Sequence, residues 1–401
     1  MSIEARAAGM SGYSAAGVDS ISRSQVVAMA LQRAGVEAVV HEAYDRGADG
    51  VGAFLNLAPN GMDALRVLDL HEVVGEAGFA TPTIRLFLGE HRRLREFSLV
   101  GARTDGLTSI TLNRGDLYAR LRDEAVRRGI LIEYGKRLVG ADPDADGVTA
   151  RFADGSTDRG DLLVGADGLR SVVRTLIDPG APDARYVPLV NTGGYVRGVD
   201  IDTEPGVTRM MFGKRAFLGV VGAPGGEVWW FCNVPQRREL SPAELAAISP
   251  GEWKSRLLDL FADDGDLPRR VIGGTESPML PWNTYDFPRV PTWHRDRMVI
   301  IGDAAHATSP AAGQGASMAV EDAVELARCL RDLPVEAALT AYEGARRARV
   351  EKVVAHGKRN GDQKGVGRVA KLLLPLVFRL MPDPDLRWLY DRETPWEAPA
   401  R

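Results

Sequence analysis

The chain has 401 residues, 45% of them hydrophobic and 26% charged, so it can bury a large core and is too long for one domain of ordinary size. Its net charge of -4 gives no electrostatic reason to expect nucleic acid as a partner. Only 2 cysteines, no run of about 18 apolar residues and no signal-peptide core predict a cytoplasmic protein without a disulfide framework or a membrane span.

The first part of the chain alternates between amphipathic segments and short apolar runs. Predicted helices cover residues 24–34, 61–70 and 114–128, and predicted strands cover 36–41, 130–134, 148–152 and 161–168. Gly35 ends the first helix, and Asn60 and Asn113 are the predicted caps of the other two. This alternation predicts a parallel α/β sheet. The segment before residue 24 lacks the apolar run of a first strand.

From residue 185 to 290 the pattern changes to short β-like runs separated by Gly and Pro turns, with a long helix only at 242–262. This pattern predicts an antiparallel sheet in a second domain. The remaining predictions are a buried strand at 298–303 and helices at 314–331 and 335–359. The apolar tail 366–381 is predicted to be a helix docked on the protein, with a membrane-surface helix as the alternative.

The sequence MVIIGDAAHATSPAAGQGASMAVEDAVELA at 298–327 predicts a strand, a loop and a helix. Asp303 stands where the strand ends and can accept hydrogen bonds from a chain of hydroxyl groups. Gly313-Gln314-Gly315 opens the helix, whose free N–H groups suit a phosphate or an electron-rich ring edge. The alternative is a glycine-rich helix start without a ligand.

This whole string resembles the second FAD motif of class A flavoprotein monooxygenases, the group related to para-hydroxybenzoate hydroxylase. The resemblance implies that Asp303 binds the ribityl chain of FAD. It also implies that Pro310, Gly313 and Gly315 lie against the isoalloxazine ring and the pyrophosphate.

Two further segments resemble motifs of the same family. DLLVGADGLRSVVR at 161–174 resembles the DG motif, which implies that Asp167 and Arg170 serve FAD and a transient NAD(P)H, with Gly168 allowing the turn. The alternative is that Asp167 only caps a helix. Arg114 resembles an arginine that contacts FAD from a helix start, the alternative being a surface ion pair with Asp116 or Glu124.

Glu42 matches the acid that holds ribose hydroxyls in Rossmann-like sites, the alternative being a solvated loop acid. The full set of predicted cofactor-binding residues is Glu42, Arg46, Arg114, Asp167, Gly168, Arg170, Gly302, Asp303, Pro310, Gly313, Gln314 and Gly315.

The resemblance implies an FAD-dependent hydroxylase that consumes NAD(P)H and O2 and passes oxygen from a flavin hydroperoxide to an aromatic or polyketide-like small molecule. No catalytic residue beyond the flavin is predicted. Predicted substrate-facing residues are Phe54, Asn56, Tyr195, Arg197, Phe212, Phe217, Trp230 and Pro310, with plain sheet core as the alternative, which is favoured for the aromatic residues. The expected partners are the substrate and O2, and the expected assembly is a monomer or a homodimer.

The implied fold is a Rossmann-like three-layer α/β FAD-binding domain with an antiparallel β-sheet substrate domain and C-terminal helices. The predicted segments are 1–184 and 291–360 for the FAD-binding domain, 185–290 for the substrate domain and 361–401 for a helical tail.

One departure from the family lies near the N-terminus, where the family has GxGxxG between its first strand and first helix. Here residues 18–23 read VDSISR, so side chains stand where the pyrophosphate needs bare backbone. Three explanations of the missing glycines are open. The site has diverged, the chain uses the flavin in another way, or residues 1–25 are not those of the functional protein. The alternative functions are therefore a flavin-free accessory protein, or an FAD-dependent epoxidase or dehydrogenase.

Overall fold

The structure is a computed structural model that describes residues 2–6, 23–45, 53–100, 103–364 and 385–400. Its strands are β1 (Ser2–Arg6), β2 (Glu37–His41), β3 (Phe54–Leu57), β4 (Gly78–Ala80), β5 (Thr83–Leu88), β6 (Arg92–Ser98), β7 (Ile110–Asn113), β8 (Leu131–Glu133), β9 (Leu138–Pro143), β10 (Val148–Phe152), β11 (Thr157–Gly160), β12 (Leu162–Gly165), β13 (Arg185–Arg197), β14 (Val207–Phe212), β15 (Phe217–Gly222), β16 (Glu227–Pro235), β17 (Trp282–Asp286), β18 (His294–Arg295) and β19 (Met298–Ile300).

The helices are α1 (Arg23–Arg33), α2 (Pro59–Val67), α3 (His71–Gly75), α4 (Arg114–Arg127), α5 (Val172–Ile177), α6 (Pro242–Ala246), α7 (Pro250–Leu260), α8 (Leu267–Gly274), α9 (Asp303–His306), α10 (Gly315–Asp332), α11 (Val335–Lys364) and α12 (Arg387–Tyr390). A 3-10 turn covers Pro310–Ala312. Within the described ranges, no helix is long and apolar enough to cross a membrane. The predicted tail helix at 366–381 and Arg46 lie outside the described residues.

A six-stranded sheet in the order β18-β19-β12-β1-β2-β8 forms the centre of the α/β part. β2 pairs with β8, and β12 with β19, in parallel, as the sequence predicts. β1 lies between β2 and β12 and is antiparallel to both, so a strand forms here although the segment lacks the apolar run of a first strand. A strand needs only backbone donors and acceptors aligned with its neighbours, and an apolar run is therefore not required.

Helix α4 follows its sequence signals closely. The side chain of Asn113 accepts a hydrogen bond from the Gly115 N–H at 2.9 Å, which confirms the predicted cap. Gly129 ends the segment with φ of 81°. Leu117 and Leu121, four residues apart on one face of the helix, are buried. The same kind of cap predicted at Asn60 is wrong, because Pro59 takes the first helical position of α2 and leaves Asn60 inside the helix.

A seven-stranded sheet in the order β17-β13-β16-β15-β14-β5-β6 forms the second part. Its pairs are antiparallel except β5 with β14. β5 and β6 come from residues 83–98, which the sequence assigns to the FAD-binding domain, so the predicted segment boundaries do not coincide with membership of this sheet. The predicted long helix at 242–262 is divided into α6 and α7, because Pro250 begins a new helix capped by Ser249.

Two small antiparallel sheets complete the fold, β3-β7-β4 and β11-β10-β9. The first places Phe54 of β3 directly beside Asn113 of β7, at the start of α4. The Nδ2 of Asn113 donates to the hydroxyl of Tyr195 on β13 at 2.9 Å. The small sheet therefore connects the helix start that carries Arg114 with the larger sheet. The mixed α/β fold class predicted from the sequence is confirmed.

Candidate functional site

Asp303 begins α9 three residues after the end of β19 and is 6% exposed. The residue before it, Gly302, has φ of 57° and ψ of -137°, a conformation that only glycine adopts readily. The Gly302 N–H donates to Oδ2 of Asp322 at 2.9 Å, and Nε2 of His306 lies 2.5 Å from the same oxygen. Asp322, on α10, therefore fixes the loop that carries Asp303 through these two contacts.

Asp322 and its neighbour Glu321 share one counter-ion, Arg346 of α11. The guanidinium lies 2.7 Å from Asp322 Oδ1 and 2.5 Å from Glu321 Oε2, and all three side chains are buried. Burial alone would raise the pKa of Glu321, yet the charges of Arg346 and Arg349 outweigh it and hold that pKa at about 2. The pKa of Asp322 is likewise lowered, because the attraction of His306 and Arg346 outweighs burial. Both acids are ionised at neutral pH.

The loop before α10 has the bare backbone that the sequence predicts. Gly313 is exposed and has φ of 60°, and Pro310 is also exposed. Gly61 of α2 packs directly on α10, since a Cβ there would lie 2.6 Å from Oγ of Ser317. That oxygen accepts a hydrogen bond from the Ala58 N–H at 3.0 Å. The start of α10 is therefore braced by α2 while its loop faces outward.

Gln314, between the two glycines, is 1% exposed. Its Oε1 accepts a hydrogen bond from Nδ2 of Asn60 at 3.0 Å, and the same Nδ2 donates to Oε1 of Glu321 at 2.7 Å. Its Nε2 has no partner among the residues that the structure describes. The side-chain amide of Gln25, in the first turn of α1, is also buried and has no partner among the described residues. Buried donors of this kind fit a polar cofactor beside them.

Asp167 follows β12 and directs its carboxylate at the start of α5. It accepts hydrogen bonds from the Ser171 hydroxyl and from the N–H groups of Val172 and Val173, at 2.7 and 3.1 Å for the two N–H groups. These are the contacts of a helix cap, the structural alternative stated for this residue. Gly168 has φ of 71°, which explains the glycine. A role of Asp167 toward FAD stays a prediction.

Arg170 is exposed, whereas Arg174, which the sequence analysis did not single out, is 6% exposed. Arg174 donates to the Ala304 carbonyl at 3.0 Å, and its guanidinium stacks on Phe287 at 4.4 Å. Burial lowers its pKa. Arg174 therefore links the turn after β12 to the residue that follows Asp303. An arginine in a short and mostly apolar helix, VVRTLI, was the available signal.

Glu42 stands at the end of β2, as predicted, and is 3% exposed. Its Oε1 accepts a hydrogen bond from the Tyr44 N–H at 3.1 Å. Burial raises its pKa, partly offset by backbone donors and Arg137. The alternative of a solvated loop acid is thus not what the structure has. Arg114 is half-buried at the start of α4, and Glu124 pairs with Arg127 and Arg128.

The side chains of β16, an inner strand of the larger sheet, alternate between two environments. Trp230 is 0% exposed and packs among α7 and α8, where its Nε1 donates to Oγ1 of Thr275 at 2.9 Å. Trp229 and Phe231 point to the opposite face and are half-buried. The structure does not bring Trp230 to the face of Tyr195, so its predicted contact with substrate lacks a geometric basis.

Residues from two sheets meet on that opposite face. The ring of Phe54 lies 5.4 Å from Trp229 and 6.3 Å from Tyr195, and Tyr195 lies 5.4 Å from Trp229. Phe79 of β4 adds a further contact with Trp229, at 5.2 Å. These residues, with Phe231, form what we call the aromatic face. Phe54 and Tyr195 were predicted, whereas Phe79, Trp229 and Phe231 were missed because the sequence does not reveal strand orientation.

The other predicted substrate residues lie elsewhere or in structural roles. Asn56 donates to hydroxyls of Thr81 and Thr111 at 2.8 and 3.1 Å. Phe212 and Phe217 are buried against each other at 5.1 Å, although Phe217 also lies 6.2 Å from Phe231. Arg197 is exposed beside Glu227. Asn56, Phe212 and Phe217 therefore have contacts within the protein core, and Arg197 lies at the surface.

The chain resembles known proteins over most of its length. A family model described as "FAD binding domain" matches residues 25–356. An FAD-dependent urate hydroxylase of Klebsiella pneumoniae subsp. pneumoniae is 31% identical over 350 residues, 84% of this chain and 86% of the relative. An aurachin C monooxygenase/isomerase of Stigmatella aurantiaca is 31% identical over 346 residues, 83% of this chain and 85% of the relative.

A solved structure of Klebsiella pneumoniae HpxO complexed with FAD and uric acid superposes with a TM-score of 0.81 at 26% identity, covering 92% of each chain. The family match begins at residue 25, after the segment in which the glycine motif is missing.

Proposed function

The chain belongs to the class A flavoprotein monooxygenase family, with an FAD binding domain over residues 25–356, and from this premise we propose that it hydroxylates a planar aromatic or heterocyclic small molecule with O2 and NAD(P)H. The observation that carries the proposal is the buried Asp303 just after β19, in a chain whose loop before α10 exposes Gly313. Family members act as FAD-dependent monooxygenases, and FAD is the cofactor.

Particular residues would hold the cofactor. Asp303 would accept hydrogen bonds from the ribityl hydroxyls, Glu42 from the adenosine ribose, and the N–H groups at the start of α10 would face the ring edge or the phosphates. FAD, when bound, supplies the redox and oxygen chemistry. The protein binds and orients it, and the buried Asp322 fixes the loop of Asp303 through the Gly302 N–H.

The aromatic face supports a planar substrate. Offset or edge contacts with Trp229, Phe231 and Phe54 suit a flat ring, as in the urate that the Klebsiella relative acts on. Tyr195 adds a polar anchor, because it accepts from Asn113 and so keeps its own O–H proton to donate. Burial raises its pKa to about 12, with Glu227 and Asp116 adding to the effect, so the hydroxyl stays protonated at neutral pH.

Spectroscopy and isotope labelling test the proposal. The purified protein should take up FAD on titration, and with ¹⁸O2 and a substrate it should oxidise NAD(P)H and place the label in the product. Asp303→Ala should weaken FAD binding, because a ribityl hydroxyl loses its charged acceptor. Oxidised product that carries no label and forms without NAD(P)H would identify a dehydrogenase instead, in which the substrate itself reduces FAD and O2 reoxidises it.

The second candidate function is a flavin-free accessory protein, which the missing glycine motif at 18–23 favours. Protein that stays colourless at saturating FAD would support that candidate and overturn the monooxygenase. Substitution of Ser20 and Arg23 by glycine distinguishes the two further, because a diverged site should then gain FAD affinity.

A further inference from the structure

The buried amide of Gln314 is connected through a chain of hydrogen bonds to Glu321, which is itself paired with two arginines. Arg346 and Arg349 both contact the carboxylate of Glu321, at 2.5 and 2.6 Å. Glu321 accepts from Asn60 at 2.7 Å, and Asn60 donates in turn to Gln314 at 3.0 Å. Every side chain from Glu321 to Gln314 in this chain is 2% exposed or less. Solvent therefore cannot substitute for any of these bonds.

The charge of Glu321 decides how the two amides are oriented. Because the carboxylate is ionised and only accepts, Asn60 must direct its NH2 group toward it. The opposite orientation would set the Asn60 carbonyl oxygen against the carboxylate. The second N–H of the same NH2 group reaches Gln314 Oε1, so the planar amide of Gln314 must direct its own NH2 group away from Asn60.

The Nε2 donor that results has no partner among the described residues, although its side chain is 1% exposed. A buried N–H without an acceptor is costly, and native proteins keep such groups where a ligand supplies the acceptor. The donor stands at the start of the 18-residue helix α10, between Gly313 and Gly315, where the predicted flavin loop lies.

We propose that the side chain of Gln314 donates a hydrogen bond from Nε2 to an acceptor atom of the isoalloxazine ring, and that Asn60 and Glu321 are positioning residues that orient it. This inference rests on the proposed function. It concerns a side-chain contact, beyond the backbone N–H groups of the helix start. A donor at the ring stabilises reduced FAD more than oxidised FAD, because the reduced ring carries more negative charge.

The first test compares Gln314→Met with the unmodified protein. We expect the dissociation constant of FAD to rise about tenfold, the loss of one buried hydrogen bond. The substitution should weaken the binding of reduced FAD more than that of oxidised FAD. The midpoint potential of bound FAD should therefore fall, by about 30 mV for each factor of ten between the two losses of affinity. The FAD-free protein should lose some stability as well, because the substitution also removes Oε1, the acceptor of the buried Asn60 N–H. Gln32→Met, which removes an exposed glutamine bond to the Arg128 carbonyl, is the matched control and should leave FAD affinity and potential unchanged.

The second test asks whether Asn60 acts through Gln314. Asn60→Leu should shift the potential in the same direction but less, because the Gln314 amide stays in place with its orientation no longer fixed. The double variant should match Gln314→Met alone in FAD affinity and potential, since the two residues form one chain.

Each outcome decides between definite conclusions. Additive losses in the double variant would overturn the positioning role of Asn60. A weaker FAD affinity with an unchanged potential would place the acceptor on the phosphate or ribityl part and overturn the contact with the ring. An unchanged affinity and potential in Gln314→Met would overturn this inference while leaving the monooxygenase proposal intact. Protein that takes up no FAD would overturn both.

Discussion

At the scale of single residues, the charged neighbours of a buried glutamate decide the direction of its pKa shift. Glu42 and Glu321 are both buried glutamates, with opposite pKa shifts. Among the described residues, the backbone donors and the charge of Arg137 do not outweigh the burial of Glu42, so its pKa is raised. Glu321 contacts two arginines, so its pKa is lowered. The first is suited to a site that gains a hydroxyl-bearing ligand, whereas the second is a fixed negative charge that orients its neighbours.

Glu42→Gln tests the first of these conclusions through the pH dependence of stability. A raised pKa in the folded state means that ionised Glu42 destabilises the fold, and that this cost appears as pH rises above the ordinary value of 4.5. At neutral pH the FAD-free variant should therefore unfold at higher urea concentration than the unmodified protein, and the difference should vanish below about pH 4.5. FAD affinity should fall, because an amide accepts from ribose hydroxyls less strongly. The control Glu72→Gln, at an exposed position of α3, should change neither the stability nor the FAD affinity. If Glu42→Gln were as stable as the unmodified protein at every pH, the conclusion for Glu42 would be wrong.

At the scale of elements, strand β16 separates a structural face from a candidate binding face by simple alternation. Trp229 and Trp230 are adjacent in sequence, yet one contacts Phe54 and Tyr195 while the other is enclosed by helices. The sequence correctly predicts β-strands here, because aromatic and β-branched residues recur between turns. The choice of face depends on where α7 and α8 pack, which no local pattern in β16 contains.

Alanine substitutions of the two tryptophans should have different effects. Trp230→Ala leaves a large cavity and loses the bond to Thr275, so we expect a loss of about 3–5 kcal/mol in the free energy of unfolding. Trp229→Ala removes a half-buried ring and should cost less than half as much, while raising the KM of a planar substrate. Urea unfolding and steady-state kinetics measure the two effects. Equal destabilisation, with KM unchanged in Trp229→Ala, would show that the aromatic face is only structural.

At the scale of the whole molecule, one buried cluster joins distant parts of the chain. Arg346 binds the carboxylates of α10, and Arg349 extends the cluster by donating to the Trp388 carbonyl at 2.7 Å. The Asp303 loop joins through Asp322, and α2 joins through Asn60. Residues more than 300 positions apart in sequence are thereby held around one group of charges. The cluster supports both loops of the predicted FAD site at once.

Arg346→Met should lower the free energy of unfolding by about 3–5 kcal/mol at neutral pH, because it leaves two buried carboxylates without their shared counter-ion. In the unmodified protein the lowered pKa of Glu321 contributes stability above its ordinary value of 4.5, and this is lost as pH falls toward about 2. The variant can relieve its buried charges by protonation, so the gap to the unmodified protein should narrow below about pH 4.5. Arg238→Met, which breaks an exposed pair with Glu244, should cost under about 1 kcal/mol. A loss equally small in Arg346→Met would contradict the role of the cluster.

The sequence by itself determined the family, the fold class, FAD as the cofactor and the local elements around the site. Signals within a few residues predict the helix capped by Asn113, the buried strands at 36–41 and 148–152 and the turn at Gly168. They suffice because helix caps, hydrophobic periodicity and glycine conformation depend on interactions between residues close in sequence. The tertiary structure alone decided the face of Trp229, the antiparallel insertion of β1, the placement of β5 and β6 in the larger sheet and the bonds from Glu321 through Asn60 to Gln314. Each of these depends on which distant segments pack together, and that choice is made by burial of whole surfaces and by long-range pairing.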